Sequence, residues 1–267
     1  TENWTIRRDH TAIAHTKEFE GPTRFVDPVE ARTIWPFIHN CVSPIRVGMF
    51  NYTDQWWDAF VSDPEHWRVG SSELFHVVVE SNNATEGIVS YRIRNQKEVI
   101  VILRLGTTAT AEHALWRHCF GIDLKDSISA SNRPLDDPLP MLLEDPQRLE
   151  HSVKDGLWLR FIDVSRALSN RGYASECHIV LRVRDLLCDW NDGCIDIETN
   201  AAGAICTPTS KSPDVELSVS NLASIYLQGT TLATLLRAGR IEERKTGSVR
   251  NFDRALATLQ YPWTPEF

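Results

Sequence analysis

The run Val99-Ile100-Val101-Ile102-Leu103 is the feature that most constrains what this chain can fold into. A strand that is apolar on both sides must be covered on both faces, so it belongs near the centre of a sheet. The preceding run, Gly87 to Arg94, alternates instead: Ile88, Ser90 and Arg92 fall on one side, Val89, Tyr91 and Ile93 on the other. That is the period of a strand. Further strands are predicted near 3–8, 74–80 and 127–131, and the two runs above extend over 86–94 and 98–106. Helices are predicted over 28–42, about 54–61 and about 109–120. Asp27 is placed to cap the first helix, with Pro28 at its first position. Pro36 is expected to kink that helix or end it early. Strands followed by a helix and another strand make an α+β or α/β layer.

The pattern shifts after residue 150. Strands are predicted near 157–163, 177–184, 194–199, 203–207 and 214–218, and helices near 164–169, 220–226, 230–238 and 249–259. Asp163 and Ser220 read as helix caps. Charge shifts at the same place. Residues 1–150 carry a net charge of −7 and residues 151–267 a net charge of −1. A length of 267 residues suits two domains. The acidic balance argues against nucleic acid as a partner, which would demand a basic face. It favours cations, including polyamine-like substrates.

No apolar run reaches the ~18 residues of a membrane span, and nothing near Thr1 resembles a signal peptide. A cytoplasmic location is therefore expected. A chain starting at Thr1 reads as processed or truncated. The six cysteines include no Cys-x-x-Cys pair, so zinc is not expected and reduced, buried thiols are. No metal site is expected of the histidines either: there is no His-Glu-x-x-His, and the five-residue spacing of His113 and His118 puts them on different helix faces. Neither a Gly-x-Ser-x-Gly elbow nor a Gly-rich nucleotide loop is present. The strand–helix junction at 103–111 holds a single glycine, Gly106, a weak signal for phosphate.

Two features carry more chemistry. Nine tryptophans can build core or line a pocket for a cation. The C-terminus, Gln260-Tyr-Pro-Trp-Thr-Pro-Glu-Phe267, is apolar and stiffened by two prolines, where most chain ends are polar and frayed. It is predicted to dock. Burial and the neighbouring Glu266 would raise the α-carboxylate of Phe267, which could then accept a proton from an amine.

Several segments together are specific. Ala114-Leu-Trp-Arg117, Asp137-Pro-Leu-Pro-Met-Leu-Leu-Glu-Asp145, Asp155-Gly-Leu-Trp-Leu-Arg160 before Asp163-Val-Ser-Arg-Ala-Leu168, Cys206-Thr-Pro-Thr209, Tyr226-Leu-Gln-Gly229 and the final Glu266-Phe267 resemble the Eis-type (enhanced intracellular survival) N-acetyltransferases of the GNAT family. The resemblance is spread over most of the chain. It implies an α+β fold, a degenerate GNAT-like acetyltransferase domain followed by a sterol-carrier-protein-like (SCP2-like) domain. Residues 1–148 would be the family's second GNAT-like domain, which binds no cofactor, with 1–20 as linking strand and linker. Residues 149–267 would be the sterol-carrier-like domain.

The activity implied is acetyl transfer from acetyl-CoA to primary amines, on aminoglycosides or lysine-like substrates. By resemblance, the Phe267 carboxylate would be the general base, Glu266 and Asp155 would hold the cationic substrate, and Trp57 would line its pocket. The acetyl-CoA site would lie in a preceding GNAT domain, so this chain is expected to bind no cofactor and to be inactive alone. An oligomer of identical chains is also implied. The competing reading is a non-enzymatic module that binds an apolar ligand or assembles oligomers.

Overall fold

The computed structural model describes residues 1–14 and 21–265. Residues 15–20 of the linking strand and linker expected over 1–20, Glu266 and Phe267 lie outside the described residues.

The chain forms two compact units, Thr1–Gly156 with the residues from Trp263 onward, and Leu157–Pro262. The expected division at 148/149 is thus displaced in the structure, because strand pairing keeps residues 150–153 in the first sheet and the chain end returns to the same unit.

The first unit contains strands β1 (Glu2–Arg7), β2 (Thr23–Val26), β3 (Phe75–Ser81), β4 (Ala84–Arg94), β5 (Glu98–Gly106), β6 (Ser127–Arg133) and β7 (Glu150–Val153). Its helices are α1 (Pro28–Val42), α2 (Asp54–Ser62), α3 (Ala109–Gly121) and the short α4 (Leu139–Leu142). The seven strands order as β2-β3-β4-β5-β6-β1-β7. The apolar run Val99–Leu103 lies on β5, at the centre of that order. All pairings are antiparallel except β5 with β6, which α3 connects.

One apolar cluster includes Val99, Val101, Leu115 and Trp116, and another includes Ile88, Leu103, Trp35 and Ile38, so the two-sided run is covered as its composition requires. Asp27 caps α1, its carboxylate accepting from the Glu30 N–H. Pro36 does not end that helix. The buried side Ala31, Trp35, Ile38 and His39 continues across it, and this packing outweighs the one backbone bond that proline removes.

The second unit contains α5 (Val164–Ser169), β8 (Cys177–Arg184), β9 (Gly193–Asn200), β10 (Gly203–Thr209), β11 (Val215–Ser218), α6 (Val219–Tyr226), α7 (Leu232–Arg237), β12 (Glu242–Glu243) and α8 (Ser248–Leu256). Its sheet order is β10-β9-β8-β11-β12, with β8 and β11 parallel. Helices and sheet share a core that includes Leu168, Leu181, Ile197, Leu222 and Phe252. Asp163 caps α5, but the cap of α6 is Ser218 and not Ser220. The strand expected at 157–163 is absent. Phe161 is buried there, but Trp158, Leu159 and Ile162 are exposed, and the strand in this region is β7.

All six cysteines are free, and only Cys119 is buried. Among the described residues no helix is long and apolar enough to cross a membrane, and no cluster of His, Cys, Asp or Glu is arranged to hold a metal ion.

Candidate functional site

At the junction from β5 to α3, Thr108 caps the helix by accepting from the Ala111 N–H, and the Thr107 N–H donates to the Glu86 carbonyl. The Thr108 hydroxyl donates to the Glu86 carboxylate at 2.9 Å. A negative side chain thus already sits at the positive end of α3. Gly106 is there for packing: a Cβ on it would lie 2.7 Å from the Glu112 side chain and 2.9 Å from the Glu112 nitrogen. A nucleotide pyrophosphate would meet Glu86 where it needs bare N–H donors, so this junction does not fit acetyl-CoA.

The parallel pairing of β5 with β6 covers only Glu98–Val101 against Ser127–Ala130, although β5 runs on to Gly106 and β6 to Arg133. The chain end docks beyond the point where pairing stops. Trp263 is 5% exposed and belongs to the same apolar cluster as Leu103 and Leu105 of β5. Its indole N–H donates to the Asn132 carbonyl on β6 at 2.7 Å, and its backbone N–H donates to the Val47 carbonyl at 2.9 Å. The Asn132 side-chain amide donates to the Thr264 carbonyl at 3.0 Å, and the Tyr52 hydroxyl donates to the Pro265 carbonyl at 2.8 Å. Asn132 adopts a left-handed backbone (φ 50°), which asparagine tolerates better than most residues, and its N–H donates to the Asn3 side chain.

Aromatic rings of α1 and α2 support Tyr52. It stacks on Trp56 with ring centres 4.1 Å apart and meets Trp57 edge-on at 5.4 Å. Trp57 is 2% exposed and stacks on Trp35. It is therefore a wall behind Tyr52, while half-buried Trp56 is the more accessible tryptophan of the pair. Burial raises the Tyr52 hydroxyl above its ordinary value, against the opposing bond to Thr264, so it stays a donor at neutral pH.

Beneath the tail lies a charged cluster that the sequence patterns do not announce. Arg104 of β5 and Arg133 of β6 both bond the Asp137 carboxylate, and all three are buried. Arg104 lies over the Trp116 ring at 4.7 Å and Arg133 over the Trp263 ring at 5.4 Å. Burial and Arg104 push Arg133 down to about 10, and the Asp137 carboxyl, though raised by burial, is held below its ordinary value by the two guanidiniums. A lone Arg in an otherwise apolar strand, as in Leu103-Arg104-Leu105, is the one local signal of the cluster.

Of the site residues expected from sequence, Trp57 is joined to the chain end through Tyr52. Asp155 is exposed after β7, and no bond among the described residues links it to that end. Glu266 and Phe267 lie outside the described residues. The second unit has an open groove of about 580 Å³ with a mainly apolar wall, lined by Leu159, Phe161, Ile162, Ala167 and Tyr226 among others.

An acetyltransferase (GNAT) domain model matches residues 48–161, and a sterol carrier protein domain model matches 164–265. An uncharacterized N-acetyltransferase of Streptomyces avermitilis is 33% identical over 249 residues, covering 91% of this chain and 61% of that protein. N-acetyltransferase Eis of Mycobacterium tuberculosis is 32% identical over 209 residues, 76% of this chain and 49% of that one. The crystal structure of Eis1 from Mycobacterium abscessus superposes with a TM-score of 0.83 at 25% identity, covering all of this chain and 67% of that one. The chain thus spans about three fifths of the length of its Streptomyces relatives.

Proposed function

The chain belongs to the Eis-type N-acetyltransferases of the GNAT family, and on that premise we propose that it serves acetyl transfer to a primary amine, aminoglycoside or lysine-like, within a longer protein. When bound, acetyl-CoA supplies the acetyl group as a thioester. In this reading its site lies outside this chain, and the β5–α3 junction closed by Glu86, which does not fit it, supports that. The work of these residues is to hold a cationic amine and take its proton. The Phe267 carboxylate is the base, with Glu266 and Asp155 attracting the cation, and the neutral amine then attacks. Trp57 contributes by backing Tyr52.

The observation that carries this reading is the anchored chain end. The backbone of Trp263, Thr264 and Pro265 is held by bonds to Val47, Asn132 and Tyr52 in the first unit, which supports a catalytic part for the chain end. Acetylation of kanamycin by the full-length protein tests it. Removal of Glu266 and Phe267 is expected to lower kcat by 10²-fold or more, the range for a positioned base. The 1–267 chain alone is expected to turn over nothing. Full activity after the two-residue deletion overturns the base, and turnover by 1–267 alone overturns the placement of acetyl-CoA.

The apolar groove of the second unit favours a second reading, a carrier of an apolar ligand, a role that does not require the chain end. Saturable uptake of a fluorescent fatty acid, abolished by Phe161→Asp, would support it.

A further inference from the structure

We propose that the groove of the second unit is a site for a single-chain amphiphile with a carboxylate head, and that the Arg166 guanidinium receives that head. The proposal rests on the carrier reading of this unit and adds the chemical class of the ligand.

The groove lies wholly within the second unit and has a volume of about 580 Å³. Sites for small molecules usually span ~300–1,000 Å³ and combine an apolar wall with a few placed polar groups. The wall here is Leu159, Phe161, Ile162, Ala167 and the ring of Tyr226, with Phe161 edge-on to Tyr226 at 5.1 Å. Apolar surface continues past the rim. Trp190, 72% exposed, is fixed there because its indole N–H donates to the Ile162 carbonyl at 2.7 Å.

The polar residues of the lining single out one group. Arg160 is paired with buried Asp185 at 2.6 Å. The Asp163 carboxylate accepts from the Arg166 N–H as the cap of α5. The Asn170 side chain donates to the Arg166 carbonyl at 2.7 Å, and the Tyr226 hydroxyl donates to the Ala167 carbonyl at 3.0 Å. Of this lining, the Arg166 guanidinium alone has no partner among the described residues.

A second cation stands behind Tyr226. Arg171 is half-buried, with its Cζ 5.7 Å from the Tyr226 ring centre and 5.2 Å from that of Tyr173. One guanidinium nitrogen donates to the Leu256 carbonyl and another is buried without a partner, and among the described residues no acid pairs with it. A cation drawn out of water without a counter-ion makes its surroundings positive. Arg160, Arg166 and Arg171 thus face only Asp163 and Asp185 here. An apolar wall with one open guanidinium suits an alkyl chain that ends in a carboxylate, which the planar fork can bind through two hydrogen bonds. A neutral apolar ligand would leave that fork unused.

The test measures binding of cis-parinaric acid, a fluorescent fatty acid, and of its methyl ester to the 1–267 chain at pH 8, where a carboxyl is ionised. The ester keeps the chain and loses the charge. The acid is expected to bind about fivefold or more tighter than the ester, as charge-assisted hydrogen bonds allow. Arg166→Glu should weaken binding of the acid about tenfold and change that of the ester less than about twofold. Arg250→Glu makes the same charge change on exposed α8, outside the groove, and should leave both ligands unaffected.

Equal affinity for acid and ester overturns the head-group assignment while the carrier reading stands. So does an affinity for the acid no lower in Arg166→Glu than in Arg250→Glu. If neither ligand binds saturably, the carrier reading falls and the assignment falls with it.

Discussion

In the first unit three arginines, Arg92, Arg104 and Arg133, lie buried beside Asp63 and Asp137, whereas the second unit surrounds its centre with apolar side chains and buries Asp185 alone among its acidic and basic residues. Burying ions is expensive and is repaid only by good geometry and full pairing. An apolar core is the simpler way to gain stability, and the second unit takes it. The first unit places its buried charge where direction counts: Asp137 aligns Arg133 under Trp263, and Asp63 joins Arg92 to the Leu74 backbone. One unit is held mainly by area, the other also by orientation.

The largest test of that contrast removes the anion shared by two cations. Asp137→Ala leaves Arg104 and Arg133 buried without their carboxylate and is expected to cost ~3–5 kcal/mol. Hydrogen exchange on β4 and β5 should accelerate while β8 and β9 stay protected. Phe252→Ala, at a fully buried position of the second unit, is the mirror experiment. It should cost a similar ~3–5 kcal/mol through lost burial and a cavity, with the protection pattern reversed.

Acid separates the units more gently. His76 is buried, and burial and Arg92 together, against the pull of Asp63, push it down to about 4. The unfolded chain takes a proton near pH 6.5 that the folded one refuses until about pH 4. Stability of the first unit is therefore full above pH 6.5 and falls by about 3 kcal/mol as pH drops to 4. Burial lowers His39 and His118 in the same direction, adding to the effect.

The second unit has one histidine, exposed His178. Its Asp185 carboxyl, raised by burial but lowered more by Arg160 and the Leu187 N–H, lies well below the ordinary carboxylate range. Its contribution is present above about pH 4 and is lost only in stronger acid. Urea unfolding at pH 7 and pH 4.5, followed by probes in each unit, should show the first unit weakening alone, and His76→Gln should flatten that change. The smallest expected effect is at the helix cap: Thr108→Ala should cost ~1 kcal/mol in thermal stability of the first unit.

Local chemistry accounts for much of the fold. The strands at 98–106 and 177–184, the caps Asp27 and Asp163 and the helix at 164–169 all depend on near neighbours in sequence, and they lie where periodicity and capping chemistry put them. The strand expected at 157–163 shows the limit. Its composition suits a strand, yet no neighbouring strand pairs with it, and pairing is not local information. The fate of Trp57 is similar. The sequence places an aromatic pair at 56–57 but cannot say which ring faces inward.

By itself, the sequence determined the two-part α+β order, the central position of Val99–Leu103, the stiff apolar end and the motifs that carry the family resemblance. Only the tertiary structure decided that this end returns to the first unit, that Asn132 and Tyr52 hold its carbonyls, and that Arg104, Arg133 and Asp137 meet beneath it. The physical reason is separation along the chain. A cap or a strand period is read within a few residues, whereas Tyr52 and Pro265 stand 213 residues apart and meet only once the sheet exists.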